Sequence, residues 1–501
     1  MGNFLLESLL LVLPTKELKL HTIGGHIKHA HPTNGTKMSN KFESLPLEKA
    51  LLKNLSSLDY KEMTPIQAKS LPLILSGKDV IAQGKTGSGK TAAFALGILH
   101  NLEVKRFRIQ SLVLCPTREL ADQVAKEIRR LARSIHNIKV LTLCGGSPLG
   151  PQIGSLEHGA HIIVGTPGRI EDHLNRGRLD LENVNTLILD EADRMLEMGF
   201  QSALDLIFSM CPEKRQTLLF SATFPDEIKP IAKAIMIDPS TVKVESTHDT
   251  NTIDQHFYQV SEHFERLTAI RLILLKNQPE SSVIFCTTKI ETQQVADELA
   301  MFGFSCIAIH GDLDQKDRDQ ALVRFANKSV SILVATDVAA RGLDIDNLDA
   351  VINYQISRDP EVHVHRIGRT GRAGSKGTAY SVITEKEVHR IIKLEDMMKQ
   401  TIKMEELPNR NILEKKPNKP EMTTLQIDGG KKQKVRAGDI LGALTAKKGT
   451  DDIQGNQIGK IQLFDNRAFV AVHRSIANDA LNKIQNGKLK GRSFKARCLW
   501  G

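Results

Sequence analysis

The sequence predicts two parallel α/β domains in tandem, followed by a small α+β domain. Three observations carry this. Short β-branched runs, apolar throughout rather than alternating, recur between helical patterns from about 79 to 223 and again from 281 to 383. Strands that read as apolar on both faces are those of a parallel sheet covered on each side by helices. A polar, proline-bearing stretch, LPNRNILEKKPNKPEM (407–422), then separates these two series from a shorter one. Its composition predicts a linker.

In the first series the runs are DVIAQ, SLVLCP, KVLTLC, HIIVGTP, TLILDEAD and TLLFSAT. In the second they are SSVIFCTT, SCIAIHGD, SILVATD, AVINY and TAYSVI, after an irregular stretch near 240–255. The order strand, helix, strand, strand, helix, strand is expected through 424–500. At 501 residues, with 41% hydrophobic and 25% charged residues, the chain is long enough for about three ordinary globular cores.

The net charge of +10 is unevenly spread. Residues 421–501 carry 15 Lys and Arg against 7 Asp and Glu, whereas the preceding 420 carry 53 against 51. The excess at the end of the chain points to a polyanionic partner for that part. Six cysteines (115, 144, 211, 286, 306, 498) show neither a CxxC pair nor zinc spacing, so reduced thiols and no structural metal are expected. FLLESLLLVL (4–13) is too short to span a bilayer and has no basic residues before it, so no membrane association is expected. Residues 1–37, with His21, His26, His29 and His31 but no accompanying carboxylate or cysteine cluster, read as a loose extension or as sequence upstream of a start at Met38.

GKTGSGKT (84–91) fits G-x-x-x-x-G-K-[ST] between a strand and a helix. Gly84, Lys85, Thr86, Gly87, Ser88 and Gly89 would curl backbone N–H groups around phosphate oxygens at the positive end of the helix. Lys90 would reach the β- and γ-phosphates and Thr91 would ligate Mg²⁺, so ATP and Mg²⁺ are expected. LILDEADRM (187–195) ends an apolar strand with three acids in four positions. Asp190 fits a Mg²⁺ partner through water, and Glu191 fits the group that orients and deprotonates the attacking water. HVHRIGRTGRAG (363–374) sets Arg366, Arg369 and Arg372 among glycines with no acid inside the stretch.

With these motifs in order, the chain resembles the DEAD-box RNA helicases, whose name is the DEAD string itself. The resemblance covers about 42–374 and implies two RecA-like domains, here at 38–240 and 241–406, with a linker at 407–422. It implies that Gln67, in MTPIQ (63–67), reads adenine and that Phe42 stacks on it; Asp59 stands where the family usually has glycine. It implies RNA-backbone contacts from Pro116, Thr117 and Arg118, from Gly145 and Gly146, and from Thr166, Pro167, Gly168 and Arg169. In the second domain it implies RNA contacts from Gln315, Arg318, Thr336 and Asp337, and ribose contact from Asp344. Ser221, Ala222 and Thr223 would couple hydrolysis to strand separation. Arg369 and Arg372 would be arginine fingers, with His365 and Arg366 shaping the interface; planar guanidiniums that keep their charge suit a developing oxyanion.

LQIDGGKKQKVRAGDILGALT (425–445) and IGKIQLFDNRAFVAVH (458–473) resemble the C-terminal RNA-binding domain of DbpA-type helicases, an RRM-like fold at 423–501. That implies local unwinding of short duplexes in 23S rRNA during large-subunit assembly, in the cytoplasm, by a monomer. Lys431, Lys432 and Lys434 are the candidate phosphate contacts of this domain, with a second basic run over 488–497. NRAFVAVH keeps only Phe469 of the usual stacking positions, so a basic surface reading a folded hairpin is the alternative to base stacking on the sheet. An ATP-driven RNA clamp without turnover and a DNA helicase are the rival classes.

Overall fold

The computed structural model describes residues 40–84, 87–224, 226, 228–244, 253–340, 348–371, 376–446 and 453–500. Lys85, Thr86, Asp344 and Arg372 therefore lie outside the described residues, as does the extension read at 1–37.

Apolar runs of four to six residues build the first sheet. Its strands are β1 (Val80–Gln83), β2 (Ser111–Leu114), β3 (Val140–Leu143), β4 (Ile162–Gly165), β5 (Thr186–Asp190), β6 (Gln216–Ser221) and β7 (Ser240–Lys243). All are parallel, in the order β3-β4-β2-β5-β6-β1-β7. Successive side chains leave opposite faces, so the strands feed two cores. Val113, Val164, Ile188 and Phe220 join one, and Leu112, Ile163, Leu187 and Leu219 the other.

The second sheet repeats the plan with β8 (Ile253–Val260), β9 (Ser282–Cys286), β10 (Cys306–Ile309), β11 (Ile332–Thr336), β12 (Ala350–Asn353), β13 (Gly377–Thr384) and β14 (Met404–Glu405). Its order is β10-β11-β9-β12-β13-β8-β14, again parallel. Arg266 is the largest fully buried side chain here; it donates to the carbonyls of Tyr354 and Val382 and pairs with Glu387.

The third sheet is antiparallel: β15 (Met422–Ile427), β16 (Ile458–Leu463), β17 (Ala468–His473) and β18 (Ala496–Leu499), ordered β16-β17-β15-β18. Leu425, Ile427, Val470 and Val472 pack against Ile440 and Leu444 of helix Ala437–Thr445 and Ala480 and Ile484 of helix Ala477–Asn486.

The stretch 407–422 is not a free tether. Leu407, Ile412 and Leu413 pack on the core of the second domain, and Asn418 hydrogen-bonds Gln278 at 2.9 Å. The third domain is seated there too. Thr424 Oγ1, fully buried, meets Asn327 Nδ2 at 3.1 Å and Ser329 Oγ at 2.7 Å, and the carbonyl of Trp500 accepts from Arg324 at 2.7 Å.

Candidate nucleotide and RNA site

Three neighbouring strands, β5, β6 and β1, deliver their carboxyl ends to one place. Crevices at such ends are where parallel sheets bind ligands. After β1, Gly89 caps helix Lys90–Asn101 with φ +93°, and a Cβ there would meet Gln67 Nε2 at 2.5 Å. Gln67 donates to the Gly89 carbonyl at 3.0 Å and accepts from Thr64 N at 2.9 Å, so MTPIQ is tied directly to the phosphate loop. Phe42 is only 2% exposed, its ring edge-on to Tyr60 with centroids 6.1 Å apart. Asp59 has φ +64°, a left-handed conformation that aspartate tolerates better than most residues.

Lys90 is buried at the first turn of its helix, and its ammonium donates to the Gly84 carbonyl. Across from it, β5 ends in Asp190, whose carboxyl is pushed up to about 7 by burial and by the neighbouring Glu191. Glu191 sits in the left-handed region (φ +54°), a conformation costing an ordinary residue about 1–2 kcal/mol. Its carboxyl is also raised by burial, against the pull of Lys90 and of Arg369 from the second domain. Asp193 behaves oppositely. Burial pushes it up, but the hydrogen bonds from Thr223 and the nearby Arg194 charge help to outweigh that and hold it below the ordinary carboxylate range. Its Oδ2 accepts from Thr223 Oγ1 at 2.7 Å and Thr223 N at 3.1 Å, which joins the DEAD and SAT segments.

A cleft of about 910 Å³ runs from this site between the domains, lined by Tyr60, Gln67, Lys90, Asp190, Glu191 and, from the third domain, Phe464 among others. Arg369, 9% exposed, follows helix Pro360–Ile367 and exerts its charge on Glu191. Nearby, Arg194 Nη2 lies 3.0 Å from His365 Nδ1, one residue from each α/β domain. Arg366 turns inward instead, forming a bidentate pair with Asp337 (2.6 and 2.8 Å) and bonding Asn353.

The residues read as RNA contacts fall on the strand ends and turns beside this cleft. Thr117, next to Pro116, caps helix Arg118–Leu131. Thr166 Oγ1 accepts from Gly145 N at 3.4 Å, and Arg169, in the helix opened by Pro167 and Gly168, donates to the Ser147 carbonyl at 3.1 Å. Those turns therefore form one surface. Gln315 and Arg318 do something the sequence did not announce: Arg118 donates to Gln315 Oε1, and Arg318 Nε meets Glu119 Oε1 at 2.6 Å. Asp193 and Arg194 lay inside a motif already read and Glu119 directly follows Arg118, but their partners are remote in sequence. Tyr60, bonded to Arg130 at 2.8 Å, had no such signal.

On the third domain the two basic runs converge. Lys490 Nζ donates to the Lys434 carbonyl at 3.0 Å, beside Lys431 and Lys432. Trp500 is half exposed under the Arg474 guanidinium, 5.7 Å from its ring centre. The sheet face opposite the helices holds Thr424, Gln426, Phe469 and Ala471, all buried.

Residues 64–231 match the model of the DEAD/DEAH box helicases, 262–374 that of the helicase conserved C-terminal domain, and 424–498 that of the DbpA RNA binding domain. The chain is 50% identical over 453 residues to the ATP-dependent RNA helicase DbpA of Escherichia coli (strain K12), covering 90% of this chain and 98% of that protein. It is 44% identical to the DEAD-box ATP-dependent RNA helicase CshA of Geobacillus kaustophilus, over 73% of this chain and 78% of the relative. Among solved structures, S. cerevisiae Dbp5 bound to RNA and ADP BeF3 aligns with TM-score 0.67 and 29% identity, over 76% of this chain and all of that one. Loop, acids, arginines and basic third domain thus find their counterparts in one group, and the chain belongs to the DEAD-box ATP-dependent RNA helicases of DbpA type.

Proposed function

We propose that this helicase separates short duplexes in 23S rRNA during large-subunit assembly, acting in the cytoplasm as a monomer. The observation that carries the catalytic part is that Glu191 feels both Lys90 of the first domain and Arg369 of the second. Hydrolysis then depends on closure of the two domains. In this reading the 84–91 loop receives the triphosphate, Lys90 its β- and γ-phosphates, and Gln67 and Phe42 serve the adenine side. Glu191 orients the attacking water and takes its proton. Arg369, with Arg372, meets the charge that develops on the γ-phosphate.

The donor set suits Mg²⁺. Asp190 and Glu191 are adjacent buried acids whose carboxyls are both raised, a deficit of positive charge that a divalent cation relieves. Ser88 Oγ is buried with no hydrogen-bond partner among the described residues, as a phosphate-facing hydroxyl would be. Thr91 and Asp190 would hold the ion, which when bound neutralises phosphate oxygens.

RNA is gripped through its backbone by the turns at 116–118, 145–146 and 166–169 and by 315–318 and 336–337, contacts that are blind to base sequence. Closure bends the strand out of duplex geometry, so short duplexes open and processivity is low. Target choice belongs to the third domain. Its match to the DbpA RNA binding model and the merging of its two lysine runs support a surface for folded rRNA, tethering the core over neighbouring helices.

The test is steady-state ATPase of the full chain with 23S rRNA fragments against unrelated RNA of equal length. Strong preference for the rRNA is expected, and it is expected to vanish in a chain ending at 420. Equal stimulation by both RNAs in the full chain would remove the rRNA assignment while leaving the helicase assignment intact.

A further inference from the structure

The two glycines at 145–146 stand in different surroundings. A Cβ on Gly145 would meet nothing within 4 Å. On Gly146, at φ +68°, it would lie 1.8 Å from Arg118 Nη1, 2.1 Å from Cζ and 2.3 Å from Nη2. The Arg118 guanidinium therefore lies across the bare Cα of Gly146, in space that a methyl group would fill. From that seat Nη1 donates to Gln315 Oε1 of the second domain. The Gln315 amide is itself oriented, its Nε2 donating to Asp319 Oδ1 at 2.7 Å, so the oxygen faces Arg118.

We infer that Gly146 is a positioning residue for domain closure: its missing side chain is the seat from which Arg118 reaches across the cleft to Gln315. This rests on the reading that hydrolysis needs the closed cleft. The colliding group is the far end of a long, flexible side chain rather than backbone. A Cβ at 146 would swing Arg118 aside and cost a cross-domain hydrogen bond to a charged donor, on top of the backbone strain that φ +68° imposes on any side chain. Contact of Gly146 with the RNA backbone would by contrast be independent of Arg118.

A double-mutant cycle on the full chain separates these cases. Gly146→Ala, Arg118→Ala and the double variant are compared for RNA-stimulated kcat, for KM with respect to RNA, and for closure by fluorescence transfer between labels on the two α/β domains. About a tenfold fall in kcat with weakened closure is expected for each single variant. The double variant is expected to be no worse than Arg118→Ala. Losses that multiply would overturn the inference, as would a Gly146→Ala variant that closes like the parent. Gly146→Asn keeps the Cβ while tolerating positive φ, so it is expected to match Gly146→Ala; recovery by asparagine would assign the effect to backbone strain instead. Arg369→Ala run alongside distinguishes the two readings: if it hydrolyses ATP normally, closure is not required and the underlying proposal fails first.

Discussion

Arg318 and Glu119 are 199 residues apart along the chain, and their Nε and Oε1 atoms are 2.6 Å apart, each side chain only 12% exposed. One stands on each α/β domain, in segments read from sequence as gripping RNA. Partly desolvated pairs of this kind matter more than surface ion pairs, because removing one partner strands the other. Glu119→Arg should lower RNA-stimulated ATPase about tenfold or more, and Arg318→Glu likewise. The double reversal should recover part of the loss. Turnover assays settle it, and a melting temperature held near that of the parent would locate the effect at the cleft.

Arg369→Ala should reduce RNA-stimulated ATP hydrolysis by about 10³. The P-loop lysine lies on the other domain, so nucleotide affinity, read by titration of a fluorescent ATP analogue, should fall far less. Hydrolysis at the parental rate would show that Glu191 works without the second domain.

His363 offers a pH test of the second domain. It is buried between Gln255, 3.2 Å from its Nε2, and the Phe257 ring, with Arg366 close by. Burial first, and the Arg366 charge second, depress it from 6.5 to about 3. A depressed histidine is neutral in the fold, so it leaves stability unchanged above 6.5. As pH falls from 6.5 towards 3 the unfolded chain takes up the proton and the fold does not, so stability is lost. From this group alone about 2 kcal/mol should go between pH 8 and pH 5. Urea unfolding of His363→Gln against the parent should show a shallower acid limb; identical limbs would refute the assignment.

Thr424→Arg should unseat the third domain, since an arginine cannot occupy the buried place between Asn327 and Ser329. The domain has its own core and should stay folded. Trypsin cleavage after Lys415 should accelerate several-fold, and emission of the sole tryptophan, Trp500, whose backbone carbonyl is tied to Arg324 at the seat, should shift as its surroundings change. Unchanged proteolysis and emission would mean that the seat is not held by Thr424.

Much of the fold was legible in the chain. The eleven apolar runs read in the two series correspond to β1–β6 and β9–β13, because apolar residues dominate these strands even at the sheet edges, where β3 and β10 lie. The strands that escaped, β7, β8 and β14, lie at or next to sheet edges and mix polar with apolar residues. The 407–422 stretch reads as a linker from its prolines and lysines, yet three apolar side chains sufficed to anchor it.

The nucleotide loop, the acids that close β5 and the arginines at 366–372 could be picked out as candidates from sequence alone, since the chemistry proposed for them calls for particular residue types at fixed local spacing. Tertiary structure decided the rest: that Arg118 and Arg318 face Gln315 and Glu119, that Asp193 holds Thr223, and that the third sheet is seated through Thr424. Local spacing records what a loop can bind. Which charges meet across a cleft depends on how whole domains pack, and no window of neighbouring residues carries that information.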